Sequence, residues 1–187
     1  NLYELVVNQL IDHSDSSKGF FSQKVYLRHQ GFDRPTVMIT EGYSIRSSSN
    51  SELSNLLKAN QIQVEHRYFG ESVPSDSTFD YLNLKQATAD LNYINTIFKE
   101  IYQNKWLSTG VSKGGATTIF YRYFYPSDVD VSVPYVAPIN DEFEEDRIYH
   151  FLDTVGSEEC RKNIYNFQIQ ILKNYDKVFK IIKEYAV

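Results

Sequence analysis

Residues 110–114 follow the pattern G-x-S-x-G, with Ser112 at the centre and Gly115 directly after the motif. This is the pattern of a nucleophile elbow, in which a serine stands on a sharp turn between a strand and a helix. The glycines are needed because the turn strains the backbone and leaves no room for neighbouring side chains. The serine hydroxyl attacks a carbonyl carbon, and backbone N–H groups at the helix start stabilise the oxyanion. The pattern therefore predicts acyl transfer through Ser112.

Two backbone N–H groups are expected to bind the oxyanion. One belongs to Lys113, the residue after the serine, and the other comes from the loop after the third strand. That loop comprises residues 41–44, and the N–H of Tyr43 is the predicted donor within it.

The hydrophobic pattern around the motif predicts the strand and the helix that an elbow requires. Residues 106–110 are predicted as a strand, and residues 114–124 as a helix that ends before Pro126. A glycine-rich turn without a catalytic role is one alternative. A phosphate-binding loop is another, but the glycine spacing with Lys-Ser or Lys-Thr that it needs is absent. The strand–turn–helix setting favours the elbow.

Strands and helices alternate through the middle of the chain, which predicts an α/β fold with a mostly parallel sheet and an N-terminal hairpin. From Asn140 onward the pattern is helical only, which indicates a separate helical layer. The elbow and the alternation therefore predict the N-terminal part of an α/β-hydrolase core in residues 1–139, followed by a separate helical layer in residues 140–187. The other predicted elements are strands at 3–11, 20–28, 36–40, 61–68 and 129–136, and helices at 51–59 and 84–102.

Composition and charge argue against several function classes. The net charge is −5 and the basic residues are scattered, which argues against a nucleic-acid partner. No apolar run is long enough to cross a bilayer, and no signal peptide is visible at the start. Cys160 is the only cysteine, so neither an internal disulfide nor a Cys-based zinc site is expected, and the four histidines lack metal-ligand spacing. No metal and no organic cofactor is predicted.

Longer segments of the sequence resemble a known family. Residues 63–72 and residues 106–115 look like the secreted bacterial serine tripeptidyl aminopeptidases of the α/β-hydrolase clan. The same segments resemble the related prolyl carboxypeptidase and dipeptidyl peptidase group. The resemblance covers residues 1 to about 140. The helical remainder fits the place where this clan inserts a cap domain, so the resemblance implies that residues 140–187 are the beginning of a helical cap. Further matching segments are 8–13, 124–126, 128–130 and 133–138.

The resemblance implies a serine exopeptidase that removes short peptides, mainly tripeptides, from a free N-terminus, with Ser112 as nucleophile. It also implies secretion or export to the periplasm. Either Glu41 or Glu65 would hold the substrate's ammonium group, because a charge-assisted hydrogen bond is strong where water is excluded. The alternative for each glutamate is a structural carboxylate that pairs with Arg67 or another base.

The acid and the base of the catalytic triad are expected outside this chain. In α/β-hydrolases the chain order is Ser, then Asp or Glu, then His, and the last two normally follow later strands. His150 is the only histidine after Ser112, and it lies in a predicted helix. Of the three earlier histidines (His13, His29 and His66), His66 is expected to make a structural hydrogen bond in the turn 67–70. The chain is thus expected to be inactive alone, with the C-terminal part of a longer enzyme supplying both groups.

Two other functions stay open at this point. An elbow does not distinguish acyl donors, so a lipase or another esterase is an alternative, although the family segments favour peptides. The second alternative is a binding or structural protein whose catalytic machinery is incomplete.

Overall fold

Six strands form one mixed sheet in the computed structural model, which describes residues 1–75 and 78–186. In chain order they are β1 (Leu2–Leu10), β2 (Phe20–Arg28), β3 (Thr36–Thr40), β4 (Asn60–Val64), β5 (Trp106–Val111) and β6 (Val131–Tyr135). The order across the sheet is β1-β2-β4-β3-β5-β6. The β1–β2 and β2–β4 pairs are antiparallel, and the pairs from β4 through β3 and β5 to β6 are parallel. The α/β-hydrolase prediction, with its hairpin and mostly parallel sheet, is confirmed.

The chain divides into two compact units, residues 1–139 and residues 140–187. The first unit contains the sheet, a short 3-10 helix (Ser16–Lys18) and three α-helices, α1 (Glu52–Leu57), α2 (Leu84–Lys99) and α3 (Lys113–Phe124). The second unit contains α4 (Asp146–Thr154), α5 (Glu158–Lys173) and α6 (Tyr175–Tyr185). Its assignment as the start of a cap domain stays a prediction.

The core of the first unit lies between the sheet and α2. Strand residues such as Met38 and Ile62 are fully buried there, because a parallel strand in the centre of a sheet is covered on both faces. Trp106 is also buried, and its indole Nε1 donates to the carbonyl of Tyr102 at 2.8 Å, so its one polar atom is satisfied. The helix and strand side chains that share this cluster include Val25, Val64, Leu91, Ile94, Phe98 and Tyr121.

The predicted strand at 61–68 is wrong at its C-terminal end. β4 ends at Val64. The Glu65 N–H still donates to Lys24 O of β2, and the chain turns at residues 67–68, although residues 65–68 are all buried. Tyr68 has a φ of 66°, which an extended strand does not allow. The polar side chains of Glu65, His66 and Arg67 take up hydrogen bonds inside the protein, and these tertiary contacts override the local strand pattern.

The helices of the second unit expose their apolar side chains. None of the described residues in α4, α5 or α6 is buried, although all three helices carry apolar residues at helical spacing. No helix among the described residues is both long and apolar enough to cross a membrane. Large exposed apolar residues on these helices include Ile148, Phe151, Leu152, Ile164, Phe167, Phe179 and Ile182.

Candidate active site

Ser112 lies at the junction of β5 and α3, in the backbone conformation of an elbow. Its φ is 56° and its ψ is −123°, a region that costs a residue with a side chain of order 1–3 kcal/mol. Two backbone hydrogen bonds hold the turn: the Ser112 N–H donates to Tyr135 O at 3.0 Å, and Ala116 N–H donates to Ser112 O at 3.0 Å. The serine side chain is exposed at the C-terminal end of the parallel strands, where α/β folds place their ligands.

The loop 41–45 packs directly against this turn, and glycines permit the approach. A Cβ atom at Gly42 would lie 2.6 Å from the Cβ of Lys113 and 2.7 Å from the N of Gly114. A Cβ at Gly114 would collide with the carbonyl oxygen of Thr40. The backbone of the loop is therefore brought within contact distance of the elbow only because these positions have no side chain.

The side chain of Lys113 extends over two aromatic rings beside the turn. Its Nζ lies 4.3 Å from the ring centroid of Phe69 and 5.1 Å from that of Tyr43. The two rings meet edge to face, with centroids 5.4 Å apart. Burial lowers the pKa of Lys113, and the ring faces compensate part of the lost hydration through cation–π attraction.

Glu41 is half-buried directly after β3, where Gln63 contacts its side chain. Its Oε1 accepts a hydrogen bond from Gln63 Nε2 at 2.7 Å. Burial raises the pKa of Glu41, and the nearby Glu65 carboxylate adds to this, while the hydrogen bond from Gln63 opposes it. The residue lies in the loop that packs against the elbow, two positions before Tyr43.

Glu65 is 2% exposed, and its carboxylate accepts hydrogen bonds from groups inside the protein. Its Oε1 accepts from the Ile45 N–H at 3.0 Å, and its Oε2 accepts from the Glu71 N–H at 3.0 Å and the Ser72 hydroxyl at 2.8 Å. These contacts support the alternative of a structural carboxylate. The predicted pairing of this carboxylate with Arg67 is wrong, because Arg67 pairs with Asp90 instead.

The Arg67–Asp90 pair was not predicted from the sequence. Arg67 Nε and Nη2 donate to the two carboxylate oxygens of Asp90 at 2.8 and 2.7 Å, and both side chains are buried. One signal was present: Asp90 lies on the buried face of α2, between Ala87 and Ile94, where an apolar residue is expected. A charge at such a position requires a partner.

The rings of three of the four histidines bond to Asp90, Tyr102 or Arg67. His13 Nε2 pairs with Asp90 Oδ1 at 2.7 Å, and His29 Nδ1 is hydrogen-bonded to the Tyr102 hydroxyl at 2.9 Å. His66 Nδ1 donates to Arg67 O at 2.9 Å, which is the structural hydrogen bond expected for this residue. The fourth, His150, lies in α4 of the second unit.

His66 is expected to make stability fall in mildly acidic solution. Burial lowers its pKa from 6.5 to about 4, so above pH 6.5 the ring is neutral in both the folded and the unfolded chain. As the pH falls from 6.5 to 4, only the unfolded chain gains the proton, and the free energy of unfolding drops by about 3 kcal/mol. Urea unfolding at several pH values measures this slope.

A His66→Gln variant provides the control, because it lacks the titrating group while the carboxylates stay the same. The difference between the wild-type and variant free energies of unfolding should change across this window and be flat above pH 7. Parallel curves for the two proteins would show that His66 does not cause the acid sensitivity.

Comparison with known proteins identifies the family to which the chain belongs. A family model described as PS-10 peptidase S37 matches residues 1–187. The "Prolyl tri/tetrapeptidyl aminopeptidase" of Streptomyces mobaraensis is 35% identical over 184 residues, which cover 97% of this chain and 39% of that protein. The "Probable serine protease EDA2" of Arabidopsis thaliana is 27% identical over 181 residues, covering 84% of this chain and 37% of that one. The chain thus spans about two fifths of the length of these curated relatives.

Solved structures support the same fold. An α/β hydrolase from Novosphingobium aromaticivorans superposes with a TM-score of 0.55 at 15% identity, covering 83% of this chain and 50% of that one. The thioesterase domain from the curacin biosynthetic pathway gives 0.54 at 13% identity, covering 84% and 53%. At these identities the likeness concerns the fold alone.

Proposed function

Because the chain belongs to the PS-10 peptidase S37 family, we propose that it carries the nucleophile of a serine exopeptidase that releases short peptides, mainly tripeptides, from a free N-terminus. The observation that carries this proposal is the elbow at Ser112, with its φ of 56° between β5 and α3. The similarity to a tri/tetrapeptidyl aminopeptidase supports the peptide substrate.

The reaction proceeds through an acyl-enzyme at Ser112. The hydroxyl oxygen attacks the carbonyl carbon of the scissile peptide bond while a general base takes its proton. The N–H groups of Lys113 and Tyr43 stabilise the negative charge that develops on the carbonyl oxygen. The C–N bond then breaks, the leaving amine takes the proton, and water hydrolyses the ester to release the short peptide.

The base and the acid come from the remaining C-terminal part of the same enzyme. Two observations support this part of the proposal. The relatives are longer, since this chain covers 39% of the Streptomyces protein. The rings of three of the four histidines already bond to Asp90, Tyr102 or Arg67. The exposed apolar sides of α4, α5 and α6 offer that remainder a surface to pack against.

Glu41 holds the ammonium group of the substrate's first residue. It is half-buried in the same loop as Tyr43, and its Oε1 already accepts from Gln63, which fixes the carboxylate. Burial that raises the pKa of Glu41 also strengthens its attraction for a cation, because both effects follow from reduced contact with water. Glu65 is the weaker candidate, because three internal donors already occupy its carboxylate.

The full-length gene product is expected to cleave a tripeptide anilide with a free N-terminus at least tenfold faster, in kcat/KM, than the N-acetylated form. Glu41→Gln should remove most of this preference by raising KM for the free substrate, because the carboxamide carries no charge. Steady-state kinetics on the two substrates with both proteins measure the effect.

The N-acetylated substrate is the matched control, since Glu41→Gln should leave its kinetics within about twofold. An unchanged preference in the variant would exclude Glu41 as the ammonium site. A simple ester is intrinsically more reactive than an anilide. If the enzyme cleaved the ester faster than every tripeptide anilide by more than this intrinsic difference, the exopeptidase proposal would be contradicted and an esterase favoured.

A further inference from the structure

One neighbouring segment, residues 65–72, contacts the loop 41–45 at several points. The N–H of His66 donates to Tyr43 O at 3.2 Å, next to the N–H that the proposed function assigns to the oxyanion. Two residues further on, the N–H of Ile45 donates to Glu65 Oε1 at 3.0 Å. The ring of Phe69 meets the Tyr43 ring edge to face at 5.4 Å. Backbone and side-chain contacts on both sides of the proposed donor thus come from this segment.

The carboxylate of Glu65 joins this loop to the far end of the same segment. While Oε1 binds Ile45, Oε2 accepts from the Glu71 N–H at 3.0 Å and the Ser72 hydroxyl at 2.8 Å. The turn closes around the carboxylate at Gly70, whose φ is 57° and where a Cβ would collide with Glu65 Oε1. Hydrogen bonds to a buried carboxylate are stronger than neutral ones, so the carboxylate fixes the relative position of the two loops.

Lys113 of the elbow contacts both the loop 41–45 and the segment 65–72. The Nζ of Lys113 lies over the rings of Phe69 and Tyr43, at 4.3 and 5.1 Å from their centroids. Lys113 also supplies the other oxyanion N–H in the proposed function. The side chain of Lys113 therefore links the two residues that carry the proposed donors, Lys113 and Tyr43.

We infer that residues 65–72 form a brace that sets the distance between the two oxyanion donors, with Glu65 as a positioning residue. The inference rests on the proposed function, because it concerns the same oxyanion site. The oxyanion site depends on backbone N–H groups aimed at one point, and misplacement by about 1 Å can cost about a hundredfold in rate. The loop 41–45 does not hold its N–H groups in that geometry by itself. The brace holds the loop at Tyr43 and Ile45.

The test compares Glu65→Gln with Glu71→Gln in the full-length gene product. A carboxamide has one acceptor end and one donor end, so its nitrogen must face an N–H or O–H group at one of the two loops. Glu71 undergoes the same chemical change in the same segment, but its side chain is exposed and pairs with Lys24 at the surface. The readouts are the second-order rate of labelling by a fluorophosphonate, kcat and KM, all at a temperature where each protein is folded by circular dichroism.

Glu65→Gln is expected to lower the labelling rate and kcat by about tenfold to a hundredfold, with KM within about twofold of wild type. Glu71→Gln is expected to match the wild type. Equal rates for Glu65→Gln and wild type would overturn the brace, and so would an equal loss in Glu71→Gln. Absence of labelling in the wild type would instead contradict the proposed function, so the two failures are distinguishable.

Phe69→Leu serves as the second variant if Glu65→Gln does not fold. It removes the aromatic face from the ammonium of Lys113 and from the ring of Tyr43 but leaves the buried carboxylate in place. A Phe69→Tyr variant keeps the ring face and should restore the labelling rate. A loss that is equal in the leucine and the tyrosine variants would overturn the role of this contact in the brace.

Discussion

Replacement of Asp90 by Asn is expected to lower the free energy of unfolding by about 3–5 kcal/mol, because it leaves a buried guanidinium without its counter-charge. Arg67 is 0% exposed, and both oxygens of Asp90 accept from it. An asparagine has nearly the same shape, so the loss reports the charge and the hydrogen bonds and not a cavity.

The pair matters because it connects four separate parts of the first unit. Besides Asp90 on α2, the Arg67 guanidinium donates to the carbonyls of Leu10, Ile11 and Tyr81 at 2.9–3.1 Å. Asp90 also accepts from His13 Nε2 at 2.7 Å. Removal of either charged partner therefore leaves several buried polar groups unsatisfied, each of which costs about 1–3 kcal/mol.

The matched control is the exposed ion pair between Lys105 and Asp130. Its Nζ–Oδ1 distance is 2.6 Å, so its geometry is as close as that of the buried pair, but Lys105 is 73% exposed. Lys105→Gln should change the unfolding free energy by less than about 1 kcal/mol. Urea unfolding of the two variants and the wild type measures the contrast. Equal losses in Asp90→Asn and Lys105→Gln would contradict the central role of the buried pair.

Local patterns in the sequence were sufficient for the elements that position Ser112. The strand before the serine and the helix after it follow from the periodicity of apolar residues, and the glycines mark the turn. The hairpin follows from two apolar strands separated by polar residues, and the parallel strands follow from the alternation of strands and helices. Each of these features depends on residues close together in the chain.

Contacts between distant residues could not be predicted in the same way. The pattern around Arg67 predicts a strand and does not identify Asp90 as its partner, because a buried ion pair depends on where two elements cross. The contact of Glu65 with Ile45 depends on a turn that follows β4, which the local pattern presented as more strand. Polar residues inside apolar patterns are the available signal, and they indicate that a partner exists without indicating which one.

The role of Ser112 has the largest expected effect. Ser112→Ala should abolish labelling by a fluorophosphonate and lower kcat about 10⁴-fold or more, because the variant lacks the hydroxyl that forms the covalent intermediate. Only substrate binding and the oxyanion donors would then contribute to the rate. Mass spectrometry of the labelled full-length gene product should place the adduct on the peptide that contains Ser112.

Ser127→Ala provides the control, since Ser127 is an exposed serine just beyond the opposite end of α3. It should keep the labelling and kcat of the wild type. Ser112→Cys separates chemistry from geometry, because a thiol on the same strained turn retains a nucleophile while the surrounding donors stay in place. Labelling that persists in Ser112→Ala would exclude this serine as the nucleophile, and an adduct at another serine would identify the residue that replaces it.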